Sequence, residues 1–291
     1  MPIYSTMKVY LEEELPDNFI LCHNIFKCQL TNDILEADIV AYPSNFVRDE
    51  ANFKYLDYLV QLANEHKLWC VLFYDNDDEM PLWSTKYPDN LLVFRTSLLR
   101  SCRRNNEYVL PVFVDTMRFA RINRTLKPKI GFCGKVHKLR RERKKSMKFL
   151  DKTRTDCNFI RRLHFSGSGN ASEKDIKEFI VNINTNHFTI CARGDGNYSI
   201  RFYEVLGRNR IPIYVDNDSC LPFEDEIDWN SIIPIVKFEN IESITDIVIN
   251  YWNKYLTQKE LDACLLRCGD MITEYLNTNF LWEYIERKIK F

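Results

Sequence analysis

Gly194, Gly196, Ser199, Arg201 and Glu204 follow one another closely, and their types suit one task. Glycines at 194 and 196 permit positive φ and let backbone N–H groups approach a ligand. A helix expected to start near Ser199 adds free N–H donors and the positive end of its dipole. Arg201, in the first turn, is a two-pronged donor matched to phosphate oxygens. Glu204 lies three residues on, on roughly the same face, where a carboxylate accepts paired bonds from a ribose diol. A solvated Arg–Glu pair on a surface helix accounts for Arg201 and Glu204 taken alone. The whole stretch from Ile190 to Trp229, with a buried strand expected at Ile211–Val215, reads better as a phosphate cradle with a sugar-binding carboxylate beside it.

The rest of the chain must position that cradle. Its 291 residues suit two domains of ordinary size, and 45% hydrophobic with 13% aromatic content excludes a disordered chain. Strand candidates fall at Met7–Leu11, Phe19–Cys22, Ile39–Tyr42, Trp69–Tyr74 and Leu91–Arg95, with a helical pattern over Tyr55–Glu65. Arg121–Pro128 reads as a linker. A second series follows: Ile130–Gly134 turning into a helix from about His137 to Leu150, then strands at Asn158–Ile160 and Phe188–Cys191. After the cradle come a strand within Ile232–Phe238 and helices over Ile241–Tyr255, Lys259–Tyr275 and Leu281–Ile289. Strands alternating with helices imply parallel α/β sheets, which place function at the carboxyl ends of their strands.

Net charge is −1, which gives no overall bias toward polyanions. The charges are unevenly spread: from Arg118 to Lys148 every charge is positive except Glu142. Nucleic-acid binding would want aromatics interleaved on that basic face, and Phe119, Phe132 and Phe149 fit core positions instead. The 10 cysteines form no Cys-x-x-Cys; Cys22, His23 and Cys28 lack a fourth ligand at matching spacing, and Cys264 and Cys268 suit packing. No metal is therefore expected. The start of the chain does not read as a secretory signal, and no run of about 18 apolar residues is present to span a bilayer. A sequon at Asn197–Ser199 inside the cradle also argues against a secretory lumen, so a cytoplasmic location is expected.

The residues resemble a family. Arg193-Gly, Ser199-x-Arg201-Phe202-Tyr203-Glu204, Arg210-Ile-Pro212-Ile213 and Leu221-Pro222-Phe223-Glu224-Asp225-x-Ile227-Asp228-Trp229 look like the exostosin family of inverting glycosyltransferases. More faintly, Ile130-Gly-Phe-x-Gly134 followed by Arg140 resembles that family's donor-domain entry, and Ala37–Pro43 its first-domain strand and turn. The resemblance implies a GT-B architecture: two Rossmann-like α/β domains with parallel sheets facing across a cleft. Residues 1–125 would form the acceptor-side domain, with a helix at about 276–291 packing back on it. Residues 126–275 would hold the nucleotide-sugar. By the same resemblance, Arg201 holds the diphosphate with Arg140 as a further contact. Arg193, Gly194, Asn197 and Ser199 line the loop, Glu204 binds the ribose, and Gly131 and Gly134 allow close approach. His137 is a candidate phosphate contact at the start of the glycine-turn helix.

The implied donor is a UDP-sugar, with UDP-xylose favoured and UDP-glucuronic acid, UDP-galactose and UDP-N-acetylglucosamine open; no cofactor is required. The implied acceptor is a hydroxyl of an oligosaccharide or glycoprotein glycan. Anchor-less members in large algal DNA viruses and bacteria are the nearest in style, which would make the compartment a host cytoplasm if viral. Inverting transfer needs a base, because the attacking hydroxyl loses its proton as it attacks. The acidic run after Trp69–Tyr74 is the first-domain candidate: Asp75, first off the strand, then Asp77. Tyr74-Asp75-Asn76-Asp77 stands where the family has an Asp-His signature. A non-catalytic nucleotide-sugar or carbohydrate-binding protein fits the same donor residues, and an RNA-binding protein using the basic stretch is a more distant alternative.

Overall fold

Runs such as Trp69–Tyr74 and Leu91–Arg95 carry no polar face, and such strands belong in sheets covered on both sides. The computed structural model describes residues 7–12, 28–83, 86–117, 120–136, 141–163 and 172–290, and it contains two sheets of that kind. The chain divides into two units. One is Met1–Phe113 with Asp218–Phe223 and Glu274–Phe291; the other is Val114–Asn217 with Glu224–Thr273.

The first unit holds β1 (Lys8–Tyr10), β2 (Gln29–Thr31), β3 (Ile39–Ala41), β4 (Trp69–Tyr74), β5 (Leu91–Arg95) and β6 (Glu107–Val109). They run parallel in the order 2-1-3-4-5-6. Helix α1 (Glu50–Glu65) starts where the Asp49 side chain accepts from the Asn52 N–H. It buries Leu56, Leu59, Val60 and Ala63 on one face and ends before Lys67, which adopts φ 57°. At the far end of the sequence, the helix Thr278–Ile289 sets Trp282 against Phe73 and Tyr284 against Phe94. At the carboxyl end of β5, Arg95 and Glu107 form a fully buried ion pair at 3.2 Å. Glu107 also accepts from the Tyr87 hydroxyl at 2.6 Å and the Arg104 N–H at 2.8 Å, while Arg95 donates to the Asp78 carbonyl. A buried ion pair holds only when its remaining lone pairs are satisfied in this way. The acidic loop after β4 therefore rests on a rigid floor.

The second unit holds β7 (Lys129–Lys135), α2 (Arg141–Phe149), β8 (Asp156–Arg162), α3 (Glu173–Asn184), β9 (Phe188–Ala192), α4 (Ile200–Leu206), β10 (Ile211–Asp216), α5 (Trp229–Ile232) and β11 (Ile235–Lys237). The strands are again all parallel, in the order 11-10-9-7-8. Two further helices follow, α6 (Ile244–Trp252) and α7 (Gln258–Asp270), and a π-helical turn at Met271–Tyr275. Helix α3 opens with a capping box between Ser172 and Asp175. The strand expected at Phe19–Cys22 lies outside the described residues, as do His137 and Arg140.

His187, fully buried at the start of β9, shows what holds this unit together. Its Nδ1 accepts the Lys129 N–H at 3.0 Å, so Nε2 carries the proton and donates to the Asn123 carbonyl at 3.0 Å. The ring packs on Trp252 with centroids 4.6 Å apart. Burial pushes the imidazole down to about 4, with the Asn123 carbonyl opposing and Lys129, Arg210 and Arg124 adding to the fall. The unfolded chain, titrating near 6.5, binds the extra proton throughout the window from about pH 6.5 to about pH 4. Stability is therefore full above that window and falls by roughly 3 kcal/mol across it as pH decreases. Denaturant unfolding of the protein and of His187→Gln across the window should show a shallower pH slope in the variant. Equal slopes would exclude His187 as the source.

Candidate functional site

In the second sheet the strand order reverses between β7 and β9. That switch point is where doubly wound sheets open a crevice at the carboxyl ends of their strands. Pairing gives the reason here. β7 pairs with β8 along seven residues, Lys129 to Lys135, but with β9 only at Ile130 and Gly131. Beyond Gly131 the two strands part, and the carbonyls of β7 on that side need other donors.

Arg201 supplies one. From the first turn of α4 its Nη2 donates to the Cys133 carbonyl at 2.8 Å. The guanidinium lies over the Phe132 ring at 4.5 Å and the Phe179 ring at 5.6 Å. Its Nε and Nη1 are shut off from solvent and have no partner among the described residues. Burial lowers the Arg201 pKa, with Cys191, Glu204 and Cys133 opposing.

A second guanidinium stands near the same ring. Arg143, in the first turn of α2, donates through Nη1 to the Lys135 carbonyl at 2.8 Å and lies 6.0 Å from the Phe132 centroid. Its Nε is likewise buried without a partner. Burial pushes Arg143 down to about 10 and the like charge of Arg201 adds to the shift, while Asp195, Cys191 and Glu142 oppose it. In the sequence Arg143 is hidden within a run of basic residues. The signal that finds it is position: the first helical turn after the glycine-bearing end of β7.

The two glycines of β7 differ. At Gly134, where φ is +152°, an added Cβ would lie 2.6 Å from Arg201 Nη2, so this glycine makes room for the arginine. At Gly131 an added Cβ would lie 2.7 Å from Asn182 Oδ1 and 2.8 Å from Asn186 Nδ2. The space expected to admit a nucleotide there is filled by α3 and the turn after it, which gives Gly131 a packing role.

The loop after β9 closes through the Gly194 N–H, which donates to the Tyr198 carbonyl at 3.0 Å. An added Cβ at Gly194 would stand 3.5 Å from Arg143 Nη2, so the loop lies against the second guanidinium. Arg193 and Asn197 are buried within it, and Arg193 donates to the Asp195 carbonyl at 3.2 Å. Ser199 occupies the N-cap position of α4 but its hydroxyl makes no cap bond. The half-buried Glu204 has its pKa raised by burial, against the pull of Arg201 and Arg208. Gly134, Gly194, Arg143 and Arg201 thus gather around Phe132 at the switch point.

Asp75 and Asp77 lie in the first unit, in the loop after β4. The Asn45 side chain holds Asp75 by its main chain, accepting its N–H at 3.2 Å and donating to its carbonyl at 3.3 Å. The Thr96 hydroxyl does the same for Asn76, at 3.2 and 3.1 Å. Burial raises the Asp75 pKa, a hydrogen bond from Thr96 lowers it, and the Asp77 charge raises it. Asp77 is exposed. Asp78 is taken up by Arg48 at 2.7 Å. Among the described residues no group of His, Cys, Asp or Glu is placed to hold a metal ion, and no helix is long and apolar enough to cross a membrane.

Each unit is a doubly wound parallel α/β fold, and the second carries two arginines beside Phe132 at its switch point. No family model matches the chain, and no curated protein does. Among solved structures it is similar to the GtfA/B complex bound to UDP and GlcNAc, at 10% identity and a TM-score of 0.35. The match covers 86% of this chain and 56% of that one, so this chain spans little more than half the length of the chain it matches. At that level the likeness carries nothing about chemistry.

Proposed function

We propose that this chain is a GT-B glycosyltransferase of exostosin type, which binds a UDP-sugar in the second unit and passes the sugar, with inversion, to a hydroxyl of a glycan. One observation carries the reading. Two guanidinium groups lie near Phe132 at the switch point, and three of their buried nitrogens (Arg143 Nε, Arg201 Nε and Arg201 Nη1) are left without partners. Buried charged donors left open cost more than neutral ones, and a diphosphate answers all three. The resemblance of residues 190–240 to the exostosin family favours uridine as the base and xylose as the sugar.

In the step itself the acceptor oxygen bonds to the anomeric carbon as the bond from that carbon to the diphosphate oxygen breaks. The acceptor proton passes to the Asp75 carboxylate, and the electron pair of the broken bond leaves with UDP. Arg143 and Arg201 stabilise the charge that develops on the departing phosphate. Ser199, with its hydroxyl free of the helix cap, and the Gly194 loop line the diphosphate, and Glu204 takes the ribose diol.

Thermal unfolding with pyrophosphate, UDP, GDP and a UDP-sugar panel tests this. A ligand at a hundred times its Kd should stabilise the protein by about 2.7 kcal/mol. Stabilisation by UDP, with UDP-xylose the best donor, is the expected result. Stabilisation by GDP and not UDP would reject the donor class, and UDP binding with no turnover of any sugar would leave a binding protein.

A further inference from the structure

Glu142 is the one acidic residue in the basic stretch from Arg118 to Lys148, and the reading above gives it nothing to do. It is 7% exposed, in the first turn of α2. Its Oε1 accepts from the Asn217 amide at 3.0 Å, and its Oε2 is buried with no partner among the described residues. A surface charge beside seven or eight lysines and arginines would swing out to pair with one of them. This carboxylate turns inward and pairs with none of the described ones.

Its position supplies the argument. Arg143 and Glu142 are neighbours on α2, so their side chains leave the helix about 100° apart. Arg143 turns to β7, at Lys135 and Phe132; Glu142 turns to Asn217, the residue after β10. Strand β9 lies between β7 and β10. Strand spacing puts the two ends of that crevice about 10 Å apart. Cations stand at one end and an open carboxylate oxygen at the other. A bare anion gains nothing from that carboxylate and is repelled by it, whereas a hydroxyl donates to it in a charge-assisted bond.

We infer that Glu142, held by Asn217, receives a sugar hydroxyl of the ligand, so that the crevice selects a phosphate ester of a sugar over a bare phosphate or pyrophosphate. The inference rests on the reading of Arg143 and Arg201 as an anion site. The hydroxyl has two sources, the ribose of the nucleotide or the transferred sugar, and the experiment separates them.

Binding of pyrophosphate, UDP and UDP-xylose is measured by calorimetry on the protein, on Glu142→Gln and on Asn217→Ala, with thermal unfolding as the check on folding. Glu142→Gln should bind pyrophosphate as well as or better than the parent and lose about 10- to 100-fold for the sugar ligand. Loss seen only with UDP-xylose assigns the transferred sugar, with Glu204 on the ribose; loss already seen with UDP assigns a ribose hydroxyl to Glu142 as well. Asn217→Ala leaves the carboxylate but frees it to move, and should show the same preference change in smaller measure. An unchanged ratio of sugar ligand to pyrophosphate in Glu142→Gln overturns the inference. If Glu142→Gln does not fold, an unchanged ratio in Asn217→Ala does so. Failure of pyrophosphate to bind the parent protein strikes the anion site itself, which is a different result.

Discussion

Replacing Asp75 by asparagine should cut sugar transfer by about 10²- to 10⁴-fold and leave UDP affinity unchanged. The substitution is conservative because Asn45 holds the main chain of residue 75, and an asparagine oxygen can still accept from Thr96 as the carboxylate does. The neighbouring turn is pinned independently by Thr96 on the Asn76 main chain. An asparagine therefore keeps the loop and loses only the proton acceptor. The carboxylate suits the task as it stands: burial raises its pKa, so it binds a proton more firmly than a solvated aspartate does. The acid limb of the rate profile should consequently lie above the ordinary aspartate value of about 3.9. Asp77 acts from outside: it is exposed, and its charge raises Asp75. Asp77→Asn should retain most of the rate and move the acid limb downward. Wild-type turnover in Asp75→Asn would remove that loop from the mechanism.

The sequence discloses these sites unevenly, and the reason is physical. Strands such as Trp69–Tyr74, Leu91–Arg95 and Phe188–Ala192 are continuous apolar runs, the pattern a doubly covered parallel strand must have, and they are found where the pattern puts them. β2 (Gln29–Thr31) and β6 (Glu107–Val109) are short edge strands with polar residues, and nothing local marks them. Helix α3 carries a readable start, the capping box of Ser172 and Asp175, although no periodic apolar run as long as those of the strands announces it. At the site, Arg201 is legible because glycine loop, helix start and strand follow each other along the chain. Arg143 and Glu142 are not, because what distinguishes them from their basic neighbours is the direction each side chain takes from α2. Gly131 misleads for the same reason: its sequence context is that of a phosphate turn, but its open side faces Asn182 and Asn186. Spacing along a chain predicts which residues share an element; which of them face a crevice is decided by strand order, and that comes from long-range pairing.

Replacing Arg201 by methionine should weaken nucleotide binding by about 30-fold or more while leaving the unliganded protein as stable as before or more so. Arg210, in the same unit, shows what an arginine kept for structure does. Fully buried, it fills both Nη groups with the carbonyls of Arg208, Asn209, Ala120 and Asn184. Only its Nε is shut off without a partner, whereas Arg201 has one such bond, to Cys133, and both Nε and Nη1 shut off with none. Each open buried donor costs about 1–3 kcal/mol, and the cation–π contacts with Phe132 and Phe179 offset only part of that. Methionine keeps an unbranched stem between the two rings and removes the charge. It also relieves Arg143 of a like charge, so the Arg143 pKa should rise from its value of about 10. Binding has the opposite balance. Losing a desolvated charge contact to the diphosphate costs about 2–5 kcal/mol, a 30- to 5,000-fold loss of UDP affinity. Stability bought at the expense of function in this way is the mark of a side chain kept for a ligand. The measurement is a pair of titrations on Arg201→Met, UDP by calorimetry and denaturant by fluorescence. A protein that loses several kcal/mol of stability and still binds UDP at the parent affinity would make Arg201 a packing residue and remove the diphosphate from the crevice.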